Sequence, residues 1–328
     1  MERFSTPDTY AVWSKNSDIR YNSTSGGAFS EFAHLIIACG GYVAGAMYND
    51  ENLVEHSIVN DNAGIEKLRQ SKYLSSNPKE VYKQVKKNLQ NGFEVGFCGS
   101  PCQVAGLYAF LGKEYDNLFT MDFICRGVNS PKAFKAWLNE VEEQESSKAT
   151  KVWFKYKDGG WKSSPRRTRV DFEDGRYKVY EGEKNLYMNG YLTSNLYIRP
   201  CCGDCLFKGV PRKSDVTFAD FWGIEKELDD DKGTSMLLIN SEKGRELFSR
   251  VRDNMEVHKK DFDTIFAGNP MFSGSVEVPK KAHDFLADLD NLTFSECLKK
   301  YGGYPVPIPL WRKAARKAKH VVKKMLGK

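Results

Sequence analysis

The chain has 328 residues, 41% hydrophobic and 28% charged, with eight cysteines and a formal net charge of +6. This is globular composition, long enough to bury a core without disulfide staples, and it excludes a disordered or collagen-like chain. No apolar run reaches the roughly eighteen residues of a membrane span, and Met1–Pro7 holds no apolar export core, so a cytoplasmic protein is expected.

Thr9–Ser14 reads as a strand and Ser17–Gly27 as a polar loop. Phe29, Phe32, Ala33 and Ile36 share one face of a helix predicted over Ala28–Cys39, which Gly40-Gly41 closes. Tyr42–Tyr48 and Leu53–Val59 form a predicted strand pair. An amphipathic helix over Pro78–Leu89 leads into a strand at Phe93–Phe97 and a helix opened by Gly99-Ser100-Pro101 and running to Leu111. A strand at Leu118–Ile124 and a helix at Pro131–Gln144 complete an alternation that predicts a parallel α/β core.

After Ser146 the character changes. Val152–Tyr156, Arg167–Phe172 and Arg176–Tyr180 read as antiparallel strands with Gly-containing turns. A cysteine-rich loop follows at Arg199–Gly209, then strands at Val216–Ala219 and Ser235–Ile239 and helices at Ser241–Asn254 and Ala282–Asp290. The predicted class is mixed α/β: a parallel-sheet core (1–146), a β-rich and cysteine-loop part (147–300), and a Pro-rich linker with an amphipathic helix (301–328). Residues 304–328 hold eight Lys/Arg and no Asp or Glu, so the rest of the chain nets −2. Without a basic stripe in the body, nucleic acid is not expected as a partner. The tail suits peripheral contact with an anionic membrane at its inner face.

Eight cysteines in a chain of this kind point to metal or cluster ligands, a redox thiol, or small buried hydrophobes. Cys202 and Cys205, three apart in a Gly-containing loop, can face one metal centre. Cys102 lies at a helix start, which favours a thiolate. Cys125 follows a strand, and ligands gather at the carboxyl ends of strands in open α/β sheets. These four thiols could form one site, and spacing leaves zinc and a 4Fe-4S cluster both open. Cys39 and Cys297 read as structural, Cys98 and Cys201 as ambiguous, and no histidine is given a role. Ser25, Gly26 and Gly27, before a helix, resemble a phosphate cradle. Ser71, Lys72 and Tyr73 suit a phosphate and a flat ring. Asp220-Phe221-Trp222-Gly223 reads as an aromatic wall or a buried corner.

From Tyr10 to Trp222 the chain resembles the beta subunits of coenzyme F-420 hydrogenase/dehydrogenase. The matching pieces are Ser23–Gly27, Ser71–Tyr73, Gly99–Leu107, Asp122–Pro131, Arg199-Pro200 with Cys202-x-x-Cys205, Ser214-Asp215 and Asp220–Gly223. The resemblance implies an iron–sulfur flavoprotein oxidoreductase. Cys102, Cys125, Cys202 and Cys205 would hold a 4Fe-4S cluster, and Ser25, Gly26, Gly27, Ser71, Lys72 and Tyr73 would contact FAD. Electrons would pass between a hydride carrier, such as a reduced deazaflavin or nicotinamide, or an organic substrate, and a one-electron partner protein. Flavin accepts a hydride and releases single electrons, which a cluster takes one at a time. Two departures stand out. Residues 1–38 lack the ferredoxin-like cysteines of many relatives, and Cys125-Arg126-Gly127 replaces the common Cys-His-Gly, so Arg126 is a candidate anion holder. Bacterial relatives occur beside surface-polysaccharide genes, which implies a role in that biosynthesis. The competing expectation is a non-redox, zinc-stabilised module that binds polysaccharide-synthesis enzymes at the membrane.

Overall fold

The structure is a computed structural model that describes residues 2–305. The amphipathic tail expected beyond them lies outside the described residues. Among those described, no helix is long and apolar enough to cross a membrane.

Eleven strands are present among the described residues: β1 (Asp8–Ser14), β2 (Tyr42–Tyr48), β3 (Val54–Val59), β4 (Val95–Cys98), β5 (Leu118–Phe123), β6 (Ala149–Phe154), β7 (Arg167–Phe172), β8 (Tyr177–Glu181), β9 (Val216–Asp220), β10 (Ser235–Ile239) and β11 (Met255–Lys260). Eight form one sheet in the order β11-β1-β10-β9-β5-β4-β2-β3, and β6-β7-β8 form a second. In the large sheet β2, β4, β5 and β9 run parallel, and the flanking strands pair antiparallel. The α/β class and the antiparallel addition are as expected. Strands from both sides of residue 146 share the large sheet.

Alternation along the strands assigns their side chains to two helical layers. On one face Ile36 and Phe32 of the helix Ala28–Ala38 and Leu247 and Val251 of Glu242–Val251 pack on Met121 and Leu237. On the other, Val85 of Val81–Gln90 and Leu107 of Pro101–Leu111 pack on Val95 and Phe97. The close approach on the first face needs Gly96, where a β-carbon would stand 2.6 Å from Ile36 Cδ1.

A third core joins the small sheet to the helix Pro131–Glu145, whose Phe134, Trp137, Leu138 and Val141 form one buried stripe. Tyr187 and Tyr191 of the helix Leu186–Thr193 enter this core. That helix has no apolar stripe, since Asn189 and Gly190 are buried along with its tyrosines, which is why periodicity in the sequence does not reveal it. A short helix, Ser17–Asn22, occupies part of the predicted polar loop because the Asn16 side chain accepts from the N–H groups of Asp18 and Ile19. The strand β11 is charged and is not foreseen by alternation; it is an edge strand beside β1, where such residues are tolerated.

Candidate functional site at the carboxyl edge of the sheet

The four parallel strands all end on one edge, at Tyr48, Cys98, Phe123 and Asp220. Segments that follow them carry the candidate residues. Cys102 opens the helix Pro101–Leu111, with Ser100 as its cap and Pro101 at its first position. Cys125 leaves β5. Cys202 and Cys205 arrive on a 3-10 turn, Pro200–Asp204, anchored by the Arg199 N–H donating to the Val128 carbonyl at 2.9 Å.

The fold brings these four thiols together. Burial pushes the Cys125 thiol up to about 12, and the charges of Cys202 and Cys102 act in the same direction. Burial also raises the Cys202 thiol, with Cys201, Cys102 and Cys205 all near enough to add to the shift. Lys208 is a cation close to them. Its Nζ donates to the Cys125 carbonyl at 2.7 Å and the Met271 carbonyl at 2.9 Å, and it feels the charges of Cys125, Cys205 and Cys202. Only its place three residues after Cys205 marks Lys208 in the sequence. Three of the other cysteines behave differently. Cys297 is buried in a hydrophobic core, Cys98 is enclosed with its thiol pushed up to about 12 by burial, and Cys39 is exposed, with Arg250 Nη2 at 3.3 Å from its sulfur.

Among the described residues, no three His, Cys, Asp or Glu side chains stand close enough to share one metal ion. A single zinc at about 2.3 Å from each sulfur needs its thiolates roughly 3.8 Å apart. A cubane cluster puts a separate iron under each sulfur and so takes a wider set. Four thiols at a buried and partly exposed edge, with a cation beside them, fit the donor chemistry of a cluster.

The two segments expected to contact FAD also meet. The Ser71 N–H donates to Thr24 Oγ1 at 2.8 Å, and Gln70 Nε2 to the Asn22 carbonyl at 3.0 Å. Several of their polar atoms are already committed to the fold, however. Ser25 Oγ donates to the Thr234 carbonyl at 2.6 Å, and the Gly26 N–H to Ser235 Oγ at 2.9 Å. Gly26 is wedged between β1 and β10, since a β-carbon there would stand 2.4 Å from the Val12 carbonyl oxygen. Gly27 takes φ +91° to start the helix Ala28–Ala38. Lys72 Nζ lies within 3.3 Å of the carbonyls of Lys67, Leu68, Arg69 and Gln70, closing the end of the helix Asn62–Leu68.

Tyr73 is differently placed. Its ring packs edge-on to Phe154 and lies 5.4 Å from the Tyr191 ring, and its hydroxyl feels the Asp220 charge. Asp220 pairs with the buried Lys155, whose Nζ sits 5.0 Å over the Trp222 ring. Trp222 stacks on Trp161 at 4.2 Å, and Trp161 Nε1 donates to the Thr24 carbonyl at 3.1 Å. Thr24, Ser71, Tyr73, Lys155 and the two tryptophans therefore surround one region of the edge. Tyr191 links it to the thiols: Arg126 lies 4.9 Å over the Tyr191 ring and donates to its carbonyl at 2.9 Å. Arg126 is thus an anchor between Cys125 and Tyr191. Lys155, Trp161 and Tyr191 carry no sequence signal of such a role, because each reaches the edge from the inserted segment.

A family model for the carboxyl-terminal region of the coenzyme F420 hydrogenase/dehydrogenase beta subunit matches residues 93–264. A chain of the F420-reducing [NiFe] hydrogenase complex from Methanosarcina barkeri, solved in a xenon derivative, is similar in fold. The TM-score is 0.53 at 16% identity, covering 92% of this chain and 93% of that one. No curated protein matches the chain.

Proposed function

The chain belongs to the coenzyme F420 hydrogenase/dehydrogenase beta-subunit family, and from that premise we propose that it is an iron–sulfur flavoprotein that acts as an oxidoreductase component. In this reading Cys102, Cys125, Cys202 and Cys205 hold a 4Fe-4S cluster. The observation that carries it is the convergence of four thiols from three separate segments on the carboxyl edge of the parallel strands.

FAD is proposed at the neighbouring region, with Ser71 and Tyr73 as contacts. Ser25, Gly26, Gly27 and Lys72 shape that region by fixing the two loops. Together the two groups would supply exchange between a hydride and single electrons. The chain's own residues hold the arrangement. Lys208 places a positive charge against the thiolates, Arg126 and Tyr191 fix the spacing between thiols and ring, and Lys155 pairs with Asp220 beside Tyr73. The one-electron partner is a protein, and the gene setting of bacterial relatives makes a polysaccharide precursor the organic substrate class to test.

Anaerobic purification with iron, sulfide, zinc and flavin analysis tests the proposal. It expects about four iron per chain with one flavin and a broad visible shoulder beside the flavin bands. One zinc in a colourless protein overturns it.

A further inference from the structure

A continuous hydrogen-bonded run leads from a buried histidine to the sulfur of Cys102. His56 stacks on Phe97 at 5.5 Å and is 4% exposed. Its Nε2 stands 3.2 Å from the Cys98 carbonyl and its Nδ1 2.9 Å from Ser76 Oγ. Gln103 Nε2 donates to Ser76 Oγ at 2.8 Å. Gln103 Oε1 accepts from both the backbone N–H and the hydroxyl of Ser100, each at 2.9 Å. Ser100 Oγ lies 3.1 Å from Cys102 Sγ.

The direction of the bonds from His56 to Gln103 follows from the first member of the run. A carbonyl only accepts, so His56 Nε2 carries the hydrogen, and in a neutral ring Nδ1 is then an acceptor. Burial holds His56 neutral, down at about 4, with the Lys72 charge acting in the same direction. Ser76 must therefore donate to Nδ1 and accept from Gln103 Nε2. That fixes the Gln103 amide with its oxygen toward Ser100. The Ser100 hydroxyl has one hydrogen and two candidate acceptors, Gln103 Oε1 and the Cys102 sulfur.

We propose that Ser100 is a positioning residue for the Cys102 sulfur: its one hydroxyl hydrogen is contested by Gln103 Oε1 and that sulfur, and it donates to the sulfur when the sulfur ligates iron. The inference rests on the cluster reading above. A sulfur that ligates iron carries no proton and only accepts, and Ser100 Oγ already stands 3.1 Å from it. A helix cap accounts for the pairing of Ser100 with Gln103. It does not account for Ser76 and His56, nor for the contact with sulfur. Hydrogen bonds to cluster sulfurs stabilise the more negative, reduced state and raise the reduction potential. Gln103 Oε1 competes for the same hydrogen, so it holds the potential below its maximum.

The experiment is a spectroscopic redox titration of the cluster in the anaerobically prepared full chain, comparing Ser100→Ala, Ser100→Thr and Gln103→Met with the parent. Ser100→Ala is expected to lower the reduced-to-oxidised ratio at fixed potential about tenfold, a fall of about 59 mV for one electron. Ser100→Thr keeps the hydroxyl and the parent potential. Gln103→Met removes the competing acceptor and moves the potential up. Loosening of the helix start alone would move Ser100→Ala and Gln103→Met in the same direction. An intact cluster with unchanged potential in Ser100→Ala, or shifts of the same sign in both variants, overturns the inference and leaves the cluster reading standing. If Ser100→Ala fails to hold iron, the sign of the Gln103→Met shift decides. A parent chain that takes up no cluster overturns the cluster reading and the inference with it.

Discussion

Cys202 packs directly on Gly127: a β-carbon at the glycine would lie 3.3 Å from the Cys202 β-carbon. It would also stand 2.9 Å from Ile198 Cγ2, and Gly127 has φ +148°, where side chains are strained. The loop after β5 and the cysteine loop are thus seated on each other through a residue with no side chain. Gly127→Ala should destabilise the metal-free protein by about 1–3 kcal/mol and displace Cys202 from Cys125. Thermal unfolding and iron content after anaerobic preparation check this; an unchanged iron content would show that the seating does not control the site.

Cys202→Ser or Cys205→Ser should remove most of the bound iron. Cys297→Ser should leave it unchanged, because Cys297 is fully buried in the core with Phe285 and Phe294. Its cost appears in stability, about 1–3 kcal/mol for a buried hydroxyl. Equal iron loss in all three variants would contradict the ligand assignment.

His56 gives a pH signature. Its folded pKa of about 4 lies below the ordinary 6.5. Between these values the unfolded chain binds a proton that the folded chain does not. Stability is therefore full above pH 6.5, falls as the pH drops from 6.5 to 4, and loses at most about 3 kcal/mol from this group. Denaturant unfolding across about pH 4–7 should show that slope in the parent. It should be shallower in His56→Gln, since Asp and Glu contributions remain in both.

Lys72→Met separates a structural from a ligand-contacting lysine. Its amine sits among four carbonyls at the end of the helix Asn62–Leu68. Removal should cost about 1–3 kcal/mol from the carbonyls left unpaired. Flavin affinity should change little while the chain remains folded. A flavin titration that shows a large loss of affinity at unchanged melting temperature would place Lys72 on the ligand.

Local pattern carries much of the fold into view. The alternation over 78–144 is built from short-range signals: Pro101 and Pro131 at helix starts, apolar strands, and the stripe of Phe134, Trp137 and Val141. The nearness of Cys102 to Cys125 is legible for a similar reason, since both follow parallel strands whose ends share one edge. Long-range features are not. Nothing near Thr9 says that it pairs with Leu238 and Lys260. Gly26 reads like an anion cradle in sequence, but it is glycine because β1 and β10 close on it. Lys72 reads like a free cation, yet its amine is taken by carbonyls four and five residues back. His56 looks isolated in the sequence because its partners Ser76 and Gln103 are remote in the chain.

The place of β1 constrains how this chain can be made. It lies between β10 and β11, so once synthesised it has neither partner until residues 235–260 have followed. At ordinary synthesis rates that wait is about 10–50 s. Throughout it Ala11 and Val12, both fully enclosed in the finished fold, stay open to solvent and to other nascent chains. Expression yield should accordingly depend on chaperone supply and slow translation more than on the stability of the finished molecule.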